Sequence, residues 1–145
     1  MSTIRAFSNK FQRVDIDTAK QQAIEQTKDE ITPLIQAQLE QGITGDDRKI
    51  TPNYASLKYA AKKFQMNPLA GFTIPDLKLT GQFYSKIATT VTKTTFTTES
   101  TDDKADKLEK EYTSKIYKLT DKNKSVYALN YVRPRLIENI RLQLG

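Results

Sequence analysis

The sequence predicts an α+β fold in which a long N-terminal helix and a C-terminal helix pack on a small antiparallel β-sheet. Near both ends of the chain, apolar residues recur at spacings of three and four, which is the period of an amphipathic helix. Between them, residues 82–100 are rich in threonine and aromatic residues, which is typical of strands. At 145 residues the chain is predicted to form one domain, 1–145, with residues 1–14 as an extended N-terminal arm.

The first helix is predicted to follow the arm, where Asp15 or Asp17 supplies an oxygen that caps its amino end. Its apolar stripe comprises Ile16, Ala19, Ala23, Ile24, Ile31, Leu34, Ile35 and Leu39. Gly42 ends the helix, because glycine readily adopts the left-handed conformation just past a helix end. Pro33 lies inside the stripe, so Thr32 and Pro33 either begin a second helix or mark a kink in one long helix.

The middle of the chain is predicted to hold a short helix over Tyr54–Phe64 and then the strands of the sheet within 82–100. The alternation of apolar residues breaks inside the strand segment, which indicates a bulge or a hairpin turn near Lys93–Thr94. A further helix then begins, with Thr101 or Asp102 as its cap and acidic residues in its first turn.

The C-terminal part is predicted to contain a short extended piece, Lys115–Leu119, that pairs with the earlier strand. Thr120 and Asp121 cap the last helix. Its apolar stripe comprises Val126, Leu129, Val132, Leu136, Ile137, Ile140 and Leu144. Pro134 interrupts this stripe, so we expect either two abutting helices or a kink.

The chain lacks several of the residue types on which catalysis commonly depends. The chain has no cysteine, histidine or tryptophan, so it has neither a thiol nucleophile nor the most frequent general base and metal ligand. The "GDDRK" stretch lacks the second glycine of a phosphate-binding loop. The acidic pairs Asp46–Asp47 and Asp102–Asp103 adjoin basic residues and are interpreted as a turn and a helix cap rather than metal ligands. We therefore expect no enzymatic activity, cofactor, metal or small-molecule substrate.

No stretch of 18 apolar residues occurs, and the first residues lack the apolar core of a signal peptide. We therefore expect a soluble protein made in a cytoplasm, without a membrane partner. The net charge is +6, and the basic excess falls after residue 50. Lys58, Lys62 and Lys63 alternate with aromatic residues and are candidates for contact with DNA, because lysines bind phosphates and aromatic rings stack on bases. The alternative interpretation is that these aromatic residues pack against the domain.

The segment Asn67–Gly81 is predicted to be an irregular loop, because it contains the breakers Pro68, Gly71, Pro75 and Gly81. Its apolar residues Leu69, Phe72 and Ile74 are interpreted as a contact with a neighbouring subunit. A loop stiffened by prolines loses little entropy on binding, which favours a contact role. The hydrophobic content of 37% indicates a small core, so a neighbouring subunit is expected to supply further burial.

Several motifs appear together in a recognisable order. They are "QLEQGITGDDRKITPNYASLKYAAKKF", then "PDLKLTGQFYSKI", and finally "LEKEYTSKIYKLTDKNKSVYALNYVRPRLIENIRLQL". In this order the chain resembles the tail-completion or neck proteins of tailed bacteriophages, the proteins that join head to tail, over roughly residues 30–145. The central motif of that family is matched by Pro75, Asp76, Thr80, Gly81, Phe83, Ser85 and Ile87.

The resemblance implies a structural virion protein without enzymatic activity. Members of the family form homo-oligomeric rings between the portal or connector and the tail tube, and DNA passes through the ring. The implied partners are other copies of the chain, the portal and other neck proteins, and the tail-tube protein, with at most non-specific contact with DNA. The implied location is the neck or tail of the virion, assembled in the host cytoplasm. The alternative function is a nucleic-acid-binding accessory protein that uses the lysines of the middle and C-terminal segments.

Overall fold

A computed structural model of the chain describes residues 9–10, 12–78, 81–93 and 95–145. Most of the predicted arm, namely residues 1–8 and 11, and Thr80 of the central motif lie outside the described residues. The helices are α1 (Ile16–Thr27), α2 (Ile31–Glu40), α3 (Leu57–Met66), α4 (Gln82–Ser85), α5 (Ala105–Tyr112), α6 (Asp121–Tyr127) and α7 (Arg133–Leu144). The strands are β1 (Ile87–Thr92) and β2 (Thr95–Ser100). The predicted α+β class is confirmed, and no described helix is both long and apolar enough to cross a membrane.

Each proline in a helix follows an irregular turn. A 3-10 turn, Lys28–Glu30, joins α1 to α2 ahead of Pro33, and a π-helical segment, Ala128–Val132, joins α6 to α7 ahead of Pro134. A proline cannot bond to the carbonyl four residues earlier, and in both cases that carbonyl belongs to the irregular turn. At Pro33 the chain forms two abutting helices, whereas at Pro134 the π-helical segment keeps right-handed helical dihedrals and α6 continues into α7. Pro33 is the third residue of α2 rather than its first, which corrects one of the predicted alternatives.

The sheet is a β-hairpin in which β1 and β2 pair antiparallel from Ile87 opposite Ser100 to Thr92 opposite Thr95. The register places the reversal between Thr92 and Thr95, which confirms the predicted hairpin rather than a bulge; Thr94 itself lies outside the described residues. Residues 82–86 were predicted as strand and instead include the short helix α4, which Gly81 starts from a left-handed conformation with φ 85°. The helix lets Phe83 and Tyr84 both face the core, whereas neighbours in a strand point to opposite faces.

The predicted extended piece Lys115–Leu119 is wrong. Ser114–Tyr117 forms a 3-10 turn, and it reaches the hairpin only through the Thr98 hydroxyl, which donates to the Tyr117 carbonyl at 2.5 Å. The turn places Ile116 and Tyr117 in the core next to Phe83. Among the described residues the sheet therefore has two strands.

The predicted helix ends are mostly confirmed. Asp15 caps α1 by accepting from the Thr18 amide at 3.0 Å, Thr120 caps α6, and Gly42 follows α2 with φ 69°. The helix predicted to begin at Thr101 or Asp102 starts at Ala105 instead, after a turn.

The core lies between α2, the hairpin and the 3-10 turn that precedes α6. Its fully buried side chains include Ile31, Ile35, Leu39, Ile50 and Ile116. Gln38 is also buried and links α2 to the start of α6, because its side chain bonds the Thr120 amide, the Asn123 amide group and the Lys118 carbonyl. This arrangement fixes the end of α2, from which the candidate site is built.

The last helix packs against α1 in the opposite direction. Gln143 exchanges hydrogen bonds with the backbone of Asp15, and buried Asn139 donates to the Ala19 carbonyl and to Gln26. The apolar stripe predicted for this helix is partly buried, since Val126, Val132, Leu136, Ile140 and Leu144 are half-buried. None of its seven residues is fully buried, and Leu129 and Ile137 are exposed.

Candidate interaction surface

The helix α3 is a short, lysine-rich element held against the domain by one side. Ser56 caps its amino end by accepting from the Tyr59 amide at 3.2 Å. Ala60 and Lys63 are its buried residues. Since they lie three positions apart, they share one face, and the rest of α3 is turned outward.

A buried ion pair fastens α3 to the segment that follows it. The Lys63 ammonium lies 2.8 Å from the Asp76 carboxylate, and the two side chains are only 9% and 4% exposed. Lys63 also donates to the carbonyl of Lys78. Charges removed from water are tolerated only when they are paired and hydrogen-bonded, and both conditions are met here.

The Asp76 carboxylate also accepts hydrogen bonds from two other residues, Asn67 and Lys78. It accepts from the Asn67 amide group and from the Lys78 backbone amide, both at 3.0 Å. Asn67 donates in addition to the Glu40 carbonyl at 2.8 Å, at the end of α2. The Tyr84 hydroxyl donates to the Asp76 carbonyl. The Asp76 cluster (Lys63, Asn67, Asp76 and Tyr84) thus joins α2, α3 and α4 around one carboxylate.

The base of the loop between Asn67 and Asp76 is fixed at Gly42 as well. A Cβ atom at Gly42 would lie 2.6 Å from the Ile74 side chain, so only glycine allows Ile74 to pack there. Ala70 is buried at the same place. The Thr73 carbonyl accepts from the Tyr54 amide at 2.9 Å. The loop is therefore anchored at both ends and in its middle.

Large apolar side chains project outward from this anchored frame. Leu57 is 66% exposed, Leu69 is 65% exposed and Phe72 is 50% exposed, although all three would gain free energy from burial. The rings of Phe64 and Phe72 meet edge to face, with 6.0 Å between their centroids, which ties the loop to α3. We call Leu57, Phe64, Leu69 and Phe72 the apolar loop surface.

Of the predicted contact residues, Leu69 and Phe72 belong to the apolar loop surface. Ile74 is half-buried against Gly42 and supports the loop from below. Four residues of the central motif lie beneath the surface: Pro75 and Asp76 are buried, and Phe83 and Ile87 are in the core. Gly81 starts α4, and Ser85 is exposed.

The lysines predicted to lie near DNA have different environments. Lys58 and Lys62 are exposed on α3. Lys63 is buried and paired with Asp76, so its ammonium is not available to a phosphate, which corrects that part of the prediction. The Asp76 cluster itself was not predicted, although the sequence carried one signal for it. Asp76 is the only acidic residue between Asp47 and Glu99, so it stands alone in a basic segment.

In each acidic pair considered as a metal site, one aspartate forms an ion pair with a lysine. Asp46 forms an ion pair with Lys115 at 2.6 Å, and this hydrogen bond lowers the pKa of the Asp46 carboxyl. Asp102 lies 3.6 Å from the Lys86 ammonium. Across the described residues, no group of three or more Asp or Glu side chains is placed to hold a metal ion.

Comparison with models of protein families, with curated proteins and with solved structures finds no match to this chain. The resemblance to phage neck proteins therefore stays a prediction from the sequence motifs.

Proposed function

We propose that the chain is a structural, non-enzymatic subunit of a homo-oligomeric ring in the neck or upper tail of a tailed bacteriophage. In this role it joins portal or connector to tail tube, and DNA passes through the ring. The sequence motifs suggest the family, and one structural observation supports the role in assembly. That observation is the apolar loop surface, exposed on a loop that the Asp76 cluster and Gly42 hold in place.

A fixed loop is well suited to bind another subunit. Ordering a flexible loop on binding costs about 0.5–1.5 kcal/mol for each immobilised side chain, so a loop that is already ordered keeps more of the energy of burial. Aromatic side chains are also the ones that most often dominate the binding energy of an interface. Phe72 and Phe64 supply these, and Leu57 and Leu69 extend the apolar area around them.

The test of assembly replaces the exposed side chains and keeps the frame. The mass of the purified chain is measured by sedimentation at rising concentration, alone and with the portal protein encoded by the same genome. Leu69→Ser/Phe72→Ser is expected to prevent ring formation, while its circular dichroism and unfolding midpoint stay close to those of the wild type. Leu142→Ser, which alters an apolar residue that is 73% exposed on α7, is the matched control and should still assemble.

A wild-type chain that stays monomeric under all of these conditions would refute the ring. The place of the gene gives a second, independent test of the family. Reading frames for a portal and a tail-tube protein should flank it, and a metabolic operon at that position would exclude a neck function.

A second candidate, nucleic-acid binding, is favoured by one cleft. It has a volume of about 320 Å³, and its lining includes Tyr54, Tyr59, Tyr112, Lys78, Lys104, Lys107 and Glu111. The Tyr54 and Tyr59 rings meet edge to face with 5.1 Å between centroids, and Tyr59 is exposed, so part of its ring is available to stack on a base.

This candidate is tested by titrating the chain into a labelled single-stranded oligonucleotide at several salt concentrations. If the cleft binds it, Lys104→Gln/Lys107→Gln should lower the slope of log affinity against log salt by about 0.7 for each phosphate that is no longer neutralised. Lys110→Gln/Lys122→Gln removes the same charge from exposed lysines outside the cleft and should leave the slope unchanged. Equal effects of the two variants would mean a diffuse charge effect and would reject the cleft.

A further inference from the structure

The loop of residues 67–78, which carries Leu69 and Phe72, contains two residues in a strained backbone conformation. The φ angle is 71° at Thr73 and 59° at Leu77, so both residues lie in the left-handed region. Glycine adopts this region freely, whereas a β-branched or bulky residue does so only against a steric penalty. The loop therefore keeps its conformation at a cost at two positions.

Thr73 lies in a β-turn that places Phe72 at an exposed corner. The Ile74 amide donates to the Gly71 carbonyl at 3.3 Å, so the turn has Phe72 and Thr73 at its centre. Thr73 has a positive φ and Phe72 does not, which is the pattern of a type II turn. The third position of such a turn is normally glycine or asparagine, because it needs a positive φ. A threonine at this position keeps the turn under strain.

Contacts on both sides of the strained residues hold them in place. The Thr73 carbonyl accepts from the Tyr54 amide at 2.9 Å. Asp76 directly precedes Leu77, and its carboxylate lies 2.8 Å from the Lys63 ammonium of α3. Strained residues persist only where the surrounding structure fixes them. The ion pair between the loop and α3 therefore acts against the strain of the loop.

We propose that residues 67–78 form a strained latch that regulates the apolar loop surface. While the Lys63–Asp76 pair is closed, the loop presents this surface as the structure shows it. When the pair opens, Thr73 and Leu77 relax to negative φ, and the apolar side chains of the loop leave their place beside α3. The proposal rests on the contact role that the proposed function gives to the loop, and it adds the regulation of that contact.

A partner favours the closed latch, because the apolar loop surface combines two elements. Leu57 and Phe64 belong to α3, whereas Leu69 and Phe72 belong to the loop. The Phe64 and Phe72 rings lie 6.0 Å apart in the closed latch. A partner that covers all four side chains binds the closed state more tightly than the open one, and this difference in affinity shifts the equilibrium. A subunit without a partner opens its loop more often.

The first test relieves the strain and measures opening of the loop by proteolysis. Thr73→Gly removes the steric penalty, and this relief outweighs the chain entropy that glycine adds. Thermolysin cleavage before Leu69 or Phe72, identified by the fragment masses, is therefore expected to slow by roughly fivefold. Lys93→Gly is the matched control, because it relieves a φ of 53° in the exposed hairpin turn and should leave this cleavage rate unchanged.

The second test opens the latch and then restores it. Lys63→Met should speed cleavage of the loop severalfold and reduce assembly in the sedimentation experiment, because the strained loop is released. Adding Thr73→Gly should recover part of both losses, since the loop then keeps its conformation without the ion pair. Adding Lys93→Gly to Lys63→Met should recover neither.

Equal cleavage of the wild type and Thr73→Gly would show that the loop is not held under strain. Equal slowing by Lys93→Gly would mean a general gain in stability. Either result rejects the latch while the ring stands. If the wild type does not assemble, the ring fails, and the cleavage rates of the monomer still decide the latch, so the two failures are distinguishable.

Discussion

At the level of single residues, the position of the apolar loop surface depends on one buried charge pair. Lys63 belongs to α3 and Asp76 to the segment that follows the loop, and each side chain is almost completely removed from water. Such a pair adds little net stability compared with two apolar residues, but it becomes costly when one partner is removed. The pair instead fixes the position of the loop, since the Asp76 carboxylate also binds the Asn67 side chain and the Lys78 amide.

We therefore expect Lys63→Met to lower the free energy of unfolding by about 3–5 kcal/mol, because it leaves the Asp76 carboxylate buried without its counter-charge. Urea denaturation followed by circular dichroism measures the loss. Lys62→Met is the control, since Lys62 is exposed on the same helix. Adding Asp76→Asn to Lys63→Met should recover part of the loss by removing the unpaired charge, and a double variant less stable than the single one would contradict this account.

At the level of elements, the junction between α2 and α6 is a polar connection inside an apolar core. Gln38 accepts from the Thr120 amide at 2.9 Å and from the Asn123 amide group at 2.7 Å, and it donates to the Lys118 carbonyl at 2.9 Å. Because Gln38 and Thr120 are both buried, water cannot easily replace these bonds. The start of α6 and of the helical stretch after it is therefore set by one side chain of α2.

Gln38→Met is expected to cost about 1–3 kcal/mol of stability, because it keeps the volume of the side chain but leaves the buried Thr120 amide without its acceptor. The unfolding midpoint in urea gives the measurement. Gln41→Met serves as the control, since Gln41 is exposed at the end of the same helix. An equal loss in both variants would show that the effect comes from the helix and not from the junction.

The elements also show what the sequence could and could not predict. Periodicity located the helices, and the break in alternation located the hairpin turn, because both signals are local. The Lys63–Asp76 pair joins residues with no regular spacing, so no local pattern revealed it. The stripe of the last helix was only partly right: Leu136 and Ile140 are half-buried, but the buried contact of α7 with α1 uses Asn139, a polar residue that a search for apolar spacing passes over.

At the level of the whole molecule, the charge distribution and the apolar surfaces act on different aspects of assembly. Exposed charges at the edge of an interface mainly raise the rate of association, and salt screens them over a distance of about 8 Å at physiological ionic strength. Burial of apolar side chains is not screened in this way and sets most of the affinity. The apolar loop surface offers both, because the exposed Lys58 and Lys62 lie on the same helix as Leu57 and Phe64.

Raising the salt concentration from about 0.05 to 0.5 M should therefore slow assembly of the wild-type chain by roughly tenfold, within the range known for steered association, and leave the final assembled mass nearly unchanged. Light scattering after rapid dilution into assembly conditions follows the rate, and sedimentation gives the final mass. Lys58→Gln/Lys62→Gln should assemble slowly at both salt concentrations, because it lacks the charges that salt screens. Dissociation of the wild-type ring at high salt would show that ion pairs, and not Leu69 and Phe72, hold the copies together.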